Sequence, residues 1–354
     1  MANYSLDLGK YLAAVDAELR VAVSTEQVVA GHQDALREFY GWIQYHLGWA
    51  DEHFQPSNAD GGKRLRPVFC LLACECLSGQ FEPALPAAAA IELLHNFSLI
   101  HDDIEDGDRQ RRHRPTLWSL VGIPHAINAG DALFALAQRE LLQLGTRGVT
   151  PERVLRASEI FQKTCVRLVE GQFLDMRAER DMQCDLAFYK QMVGGKTAAL
   201  LGASTAIGAA IASDDLRQVQ RFQDFGIELG LAFQMTDDIL GIWGDPAVTG
   251  KPAGADLRRK KKSLPVVLAL AHGGELRTAL DRVFLQPELG DNDVVEIVQL
   301  MDAANIRIQA EQEAEKHRHR ATRGLARLAT AGVANTPALA TLGQLAESLT
   351  SRSH

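Results

Sequence analysis

Apolar residues recur along this chain at intervals of three and four, the spacing that gathers them on one face of an α-helix. Leu8, Leu12, Val15, Leu19 and Val23 follow that period, as do Leu36, Phe39, Ile43 and Leu47. Segments 68–77 and 198–212 are apolar almost throughout and predict buried helices. Prolines at 83, 86, 115 and 124 punctuate the pattern. Further helices are predicted over 126–144 and 154–176, the second with Leu155, Phe161, Cys165, Leu168, Val169 and Phe173 as its apolar side. Segment 222–243 predicts another, and amphipathic stretches run from about 291 to 349, with 311–323 charged enough to predict an exposed face. Nothing alternates with the period of two that a half-buried strand shows. The expected class is all-α, in one large domain over 1–354.

Composition agrees. Aromatic residues make up only 6% of the 354 residues and Ala and Leu are abundant, a mix that favours helices over sheets. A formal net charge of −8 argues against a general nucleic-acid binder. Five cysteines without a CxxC pair suit neither a disulfide framework nor a zinc site, and predict small core residues in a reducing compartment. The N-terminus has no basic region followed by an apolar one, and no apolar run approaches the ~20 residues that span a bilayer. The expected location is cytoplasmic.

The chemistry concentrates in 91–116, IELLHNFSLIHDDIEDGDRQRRHRPT. Its helical lead-in runs into Asp102, Asp103 and Asp106, and residues four apart share a helix face, so Asp102 and Asp106 point the same way. Two carboxylates held like that repel unless a cation sits between them, and an all-oxygen pair suits Mg²⁺. Arg109, Arg111, Arg112 and Arg114 follow, able to clamp phosphate through forked hydrogen bonds. Upstream, GGKRLRP (61–67) joins two glycines to Lys63, Arg64 and Arg66. Downstream, GGKTA (194–198) places Lys196 and Thr197 between helical stretches, and FQMTDDILGIWGD (233–245) repeats the acidic pattern with Gln234, Asp237 and Asp238. A basic run, 258–262, closes the series. Any one of these stretches alone would suit an ordinary solvated surface.

Together, and in this order, they resemble the trans-isoprenyl diphosphate synthases, or polyprenyl synthetases, most strongly over 61–265, with some likeness to bacterial geranylgeranyl diphosphate synthases. The resemblance implies a bundle of long antiparallel helices around a deep central cavity, usually in a homodimer. It implies that Mg²⁺, bound by Asp102 and Asp106 and by Asp237, bridges the diphosphate of an allylic substrate (dimethylallyl, geranyl or farnesyl diphosphate). Lys63, Arg66, His95 and Arg112 match the positions that hold isopentenyl diphosphate; Arg111, Lys196, Thr197, Gln234, Lys251 and Lys261 match the allylic site. The catalytic set so implied is Asp102, Asp106, Arg111, Lys196 and Asp237. Family members commonly set product length with residues just before the first acidic motif, here Phe97 and Ser98, an aromatic-then-small pair that points to a twenty-carbon product. Gln172 and Asp175, close together in EGQFLD, read as satisfying each other.

One departure stands out. The last acidic position of the second motif is Gly241, for which Asp238 or Asp245 could compensate. Two other functions share many of these features. A class I terpene cyclase ionises an allylic diphosphate but needs no second diphosphate site, and a non-catalytic subunit of a heteromeric synthase tolerates decayed acidic motifs.

Overall fold

Helices succeed one another as the three-and-four periodicity predicts. In the computed structural model, which describes residues 7–24, 33–179, 181–245, 254–330 and 335–350, they are α1 (Gly9–Ala22), α2 (Gln33–His46), α3 (Leu65–Ser78), α4 (Leu85–Glu105), α5 (Leu117–Val121), α6 (Ile123–Leu142), α7 (Pro151–Glu179), α8 (Leu186–Val193), α9 (Ala199–Ala212) and α10 (Leu216–Trp243), with further helices from Ala255 to Thr350. The all-α class holds. The chain forms two compact units, one from 1–159 with 207–214, the other from 160–206 with 215–354.

In the first unit α4 packs against α1, α3 and α6. Pro86 sits in its first turn, where a missing N–H costs nothing, and Ala87–Ala90 are wholly buried, small enough for neighbouring backbones to come close. The C-terminal half of α9 reaches α3 with the same economy: a Cβ on Gly208 would fall 2.1 Å from the Cys70 carbonyl oxygen. All five cysteines are buried thiols, as expected, and burial pushes Cys74 up to about 11 and Cys76 to about 12.

In the second unit α10 is the central element, packed against α8, the turn 194–198 and the helices Leu264–His272, Ile306–Ala329 and Thr336–Thr350. Glycines make one seam: a Cβ on Gly230 would meet Ala198 Cα at 2.6 Å, and one on Gly226 would meet Thr205 Oγ1 at 2.5 Å.

Several expectations are corrected. The helical stretches Glu82–Glu105 and Leu186–Ala212 do reach the length and hydropathy of a membrane span, but 78% of each apolar window is buried inside the protein, which makes them core helices by burial. On α7, Phe161, Cys165 and Leu168 are buried, whereas Leu155, Val169 and Phe173 face outward at 72%, 55% and 60% exposure. Segment 311–323 is not uniformly exposed. Glu313 and His317 are buried there, paired with Lys190 and Glu228, and Lys190 and Lys316 hold Glu313 down at about 2 against the cost of burial. Finally, Gln110–Arg111 and Arg114–Pro115 pair as an antiparallel ribbon, β1 and β2, too short to alternate visibly in sequence.

Candidate active site

A glycine decides where α4 stops and therefore where the first acidic motif lies. Gly107 takes φ 68° and donates to the Ile104 carbonyl at 3.3 Å, while Asp108 N–H donates to the Asp103 carbonyl at 2.9 Å. That pair of bonds is a Schellman cap, which left-handed glycine permits at little cost. Asp106 is thus exposed at the helix end and Asp102, one turn back, is half-buried. Asp103 turns inward at 2% exposure and accepts from Arg111 Nε and Nη2, each at 2.7 Å. Burial pushes its carboxyl up to about 6, opposed by Arg111, which leaves it ionised at neutral pH.

The ribbon presents the arginines. Arg112 and His113 turn it with φ of 53° and 60°, the doubly left-handed corner that matches strand twist in a two-residue hairpin. The Arg112 guanidinium then lies on Gly62, where a Cβ would come within 2.5 Å of Nη2. Gly62 is needed twice over, since its φ is 93°.

GGKRLRP divides its cations. Lys63 is exposed. Arg64 is ion-paired to Asp16 of α1 and lies 5.9 Å from the Trp49 ring, so its charge is spent on tethering α1. Arg66 Nη1 reaches His95 Nε2 at 3.1 Å. A guanidinium only donates, so Nε2 accepts and the imidazole proton sits on Nδ1. Burial, then the charges of Arg66, Arg112 and Arg111, hold His95 well below its usual range, and it is neutral at pH 7. Arg66 Nε is buried with no hydrogen-bond partner, a donor suited to an anion. Glu92, 3% exposed, offsets these cations from below; burial raises its carboxyl and Arg66 opposes that. Sequence reasoning passed over Glu92, although one acid inside an apolar helix, three residues before His95, was the available signal. His46 was missed too: burial and the charges of Arg111, Arg112 and Arg114 hold it down at about 3.

One turn from the motif, Phe97 stacks against His101 and Phe134, with ring centres 4.7 and 5.1 Å away. Gly130 makes room for that stack, because a Cβ there would fall 2.3 Å from His101 Nε2. Ser98 turns its hydroxyl back to the His95 carbonyl at 2.8 Å.

The second unit gathers the other predicted residues. Gly194–Ala198 forms a single π-helical turn between α8 and α9, a widening frequent at functional sites. It presses on α7 so closely that a Cβ on Gly171 would lie 2.1 Å from Lys196 N. Lys196 Nζ donates to Asp175 Oδ2 at 2.6 Å, so Asp175 serves Lys196. Thr197 Oγ1 donates to Gln234 Oε1 at 3.0 Å, and Gln234 Nε2 to Asp238 Oδ1 at 2.9 Å. Lys261 Nζ lies 3.1 Å from Asp238 Oδ1 and 3.9 Å from Asp256 Oδ2. Burial alone would lower its pKa, but Asp238, Asp256, Asp175 and Asp237 outweigh that and hold it firmly charged.

The basic run is no solvated loop. Lys262 is 2% exposed, with Nζ 3.2 Å from the Glu179 carbonyl and 4.7 Å from the Phe284 ring centre; Arg258 pairs with Asp291, and Lys260 donates to the Gln286 carbonyl. Asp237 is half-buried on α10. Asp238 accepts from four protein donors. Over Gly241 lies Asp256, whose Oδ2 would be 2.4 Å from a Cβ at that position. Lys251 lies outside the described residues.

Among the described residues no group of three or more His, Cys, Asp or Glu closes around a cation. Asp102 and Asp106 offer an incomplete, oxygen-only set at a helix end, and Asp237 another carboxylate. Oxygen donors of this kind fit Mg²⁺, which keeps waters and completes its shell with substrate phosphates.

Comparison with known proteins agrees with this chemistry. The profile of the polyprenyl synthetase family matches residues 48–301. The chain is 39% identical over 301 residues to the (2E,6E)-farnesyl diphosphate synthase of Mycobacterium tuberculosis, covering 84% of this chain and 81% of that one. It is 45% identical over 244 residues to a geranylgeranyl diphosphate synthase of the same organism, covering 69% and 68%. The crystal structure of a polyprenyl synthetase from Streptomyces coelicolor A3(2) superposes with a TM-score of 0.85 at 35% identity, over 96% of this chain and 97% of that one. With an acidic helix and its own cations in each unit, this chain belongs to the polyprenyl synthetase family and is a prenyltransferase, a trans-prenyl diphosphate synthase.

Proposed function

We propose that this chain condenses isopentenyl diphosphate head to tail with dimethylallyl, geranyl or farnesyl diphosphate, giving all-trans geranylgeranyl diphosphate in the presence of Mg²⁺. The observation that carries the proposal is the pair of cation clusters, Arg66 and Arg112 beside neutral His95 in one unit, and Lys196 and Lys261 with the Thr197 hydroxyl in the other. A cyclase needs one diphosphate site; two suit a condensation. Both units would act as one catalytic domain. Lys63, Arg66, His95 and Arg112 hold isopentenyl diphosphate, and the buried, unpartnered Arg66 Nε–H suits an anion. Arg111, Lys196, Thr197, Gln234 and Lys261, joined by Lys251, hold the allylic diphosphate. Asp102, Asp106 and Asp237 would hold Mg²⁺, which would supply charge neutralisation for the diphosphate leaving group. Fixed cations stabilise the departing diphosphate without reorganising, the isopentenyl double bond attacks the allylic carbon, and a proton leaves, with the diphosphate as its acceptor. His95, neutral and accepting from Arg66, orients and does not supply charge.

Incubation with isopentenyl and geranyl diphosphates tests this. Elongated diphosphates are expected; hydrocarbon or alcohol from one substrate would indicate a cyclase, and silence until a partner is added a subunit. Relatives include a farnesyl and a geranylgeranyl diphosphate synthase, and product length is here proposed to rest on Phe97 and Ser98. Phe97→Ala should shift dephosphorylated products to longer chains on chromatography; an unchanged distribution from active variant removes Phe97 as the floor.

A cytoplasmic homodimer is part of the proposal. Val166, Val169, Phe173 and Met176 line one outward stripe of α7, the kind of apolar surface a second copy covers.

A further inference from the structure

Asp238 is the second acid of a motif whose acids are expected at a metal, yet protein donors occupy both its oxygens. Oδ1 accepts from Gln234 Nε2 at 2.9 Å and from Lys261 Nζ at 3.1 Å. Oδ2 accepts from the Tyr189 hydroxyl at 2.7 Å and from Leu264 N–H at 3.0 Å. The side chain is 1% exposed. A carboxylate has about four acceptor positions, and here four donors fill them, from α8, from one turn earlier on α10 and from the stretch 261–264.

The consequence reaches three residues. Lys261 is held by its ammonium. Gln234 has its amide orientation fixed, NH₂ to Asp238 and carbonyl to the Thr197 hydroxyl at 3.0 Å. Thr197 is then fixed through Gln234. One buried anion thereby sets the rotamers of three side chains on three different stretches.

We infer that Asp238 is a positioning residue for the allylic diphosphate, acting through Lys261, Gln234 and Thr197, and is not a ligand of the metal. A rigid inner partner of this kind keeps a binding group near its productive geometry. The inference rests on the prenyltransferase function proposed above.

Elongation by the wild-type protein, with geranyl and isopentenyl diphosphates, is measured first; no product there would sink the functional proposal and this inference with it. Given an active wild type, Asp238→Asn should raise the KM for geranyl diphosphate ~10-fold or more while the KM for isopentenyl diphosphate and half-saturating Mg²⁺ stay within ~2-fold. Mn²⁺ bound in the presence of inorganic pyrophosphate, counted by electron paramagnetic resonance, should keep its wild-type stoichiometry. Loss of a bound Mn²⁺, a shift in half-saturating Mg²⁺, or a fall in kcat with both KM values unchanged would overturn the inference. Should Asp238→Asn fail to fold by circular dichroism, Tyr189→Phe decides. It removes one donor to Oδ2 and keeps the charge, and should raise the geranyl diphosphate KM ~2–5-fold without moving the Mg²⁺ dependence. An unmoved geranyl diphosphate KM in that variant would reject the positioning role.

Discussion

The two acidic helices share a motif and use it differently. In α4 the acids fall on the last turn, with Asp106 exposed and Asp102 half-buried; in α10 they fall before the last turn, with Asp237 half-buried and glycine at the fifth position. Both turn the middle acid inward onto a cation, Asp103 onto Arg111 and Asp238 onto Lys261. A motif counted as three carboxylates therefore leaves two facing outward in the first helix and one in the second. Where α10 lacks its last acid, Asp256 occupies the space from a neighbouring helix. The spacing of acids along a helix says which share a face, but the partner on the other side says which can meet a ligand.

The largest effect should come from the outward acids. Asp102→Asn is expected to lower turnover ~10²-fold or more, as loss of an electrostatic stabiliser does, and excess chelator should abolish it. Full turnover in chelator would erase the division between outward and inward acids. A smaller effect should follow Gly241→Asp. Sequence alone suggests that restoring the acid tightens metal use, but a Cβ at 2.4 Å from Asp256 Oδ2 forces two carboxylates together. The variant should lose ~1–3 kcal/mol of stability in urea titration, with turnover falling less than in Asp102→Asn. A Gly241→Asp protein as stable as wild type would show that Asp256 yields its place freely.

The smallest effect on turnover should be seen at a buried acid whose neighbouring cations, Arg139 and Arg147, are outweighed by burial and by a second carboxylate. Glu140 of α6 is 6% exposed, and burial together with Glu18 of α1 pushes its carboxyl up to about 7. A raised carboxyl binds its proton more tightly folded than unfolded, so its contribution is complete below pH 4.5 and is lost as pH rises through about 7. Glu140→Gln should therefore raise the melting temperature by a few degrees at pH 8 and leave it nearly unchanged at pH 4.5, with turnover unaffected. Equal melting shifts at both pH values would contradict a buried proton there.

Most helices and the acidic motifs were legible because both depend on short-range spacing. The facing of individual residues was not, because it depends on partners far along the chain. Arg64 reads only as one of three cations in GGKRLRP, and nothing in that stretch tells that Asp16, 48 residues earlier, pairs with it. Lys262 looked solvated, yet the Glu179 carbonyl, 83 residues away, and the Phe284 ring take it inside. Leu155, Val169 and Phe173 looked like core because periodicity finds an apolar stripe and is silent about what covers it. The ribbon at 110–115 is too short to carry a period, and the left-handed corner at Arg112–His113 lacks the Asn-Gly that usually announces one.

The π turn at Gly194–Ala198 also governs phase. Each residue of an α-helix advances its side chains by ~100°, so the widened turn resets the angle at which α9 leaves α8. Before it, Tyr189 aims at Asp238; after it, Gly202 aims at Ile227. Trimming one residue from GGKTA could leave a continuous, fully hydrogen-bonded helix and still rotate every later side chain of α9 by ~100°. The turn thus works as a gear between two registers, and what a deletion there would strip is alignment, with helicity intact.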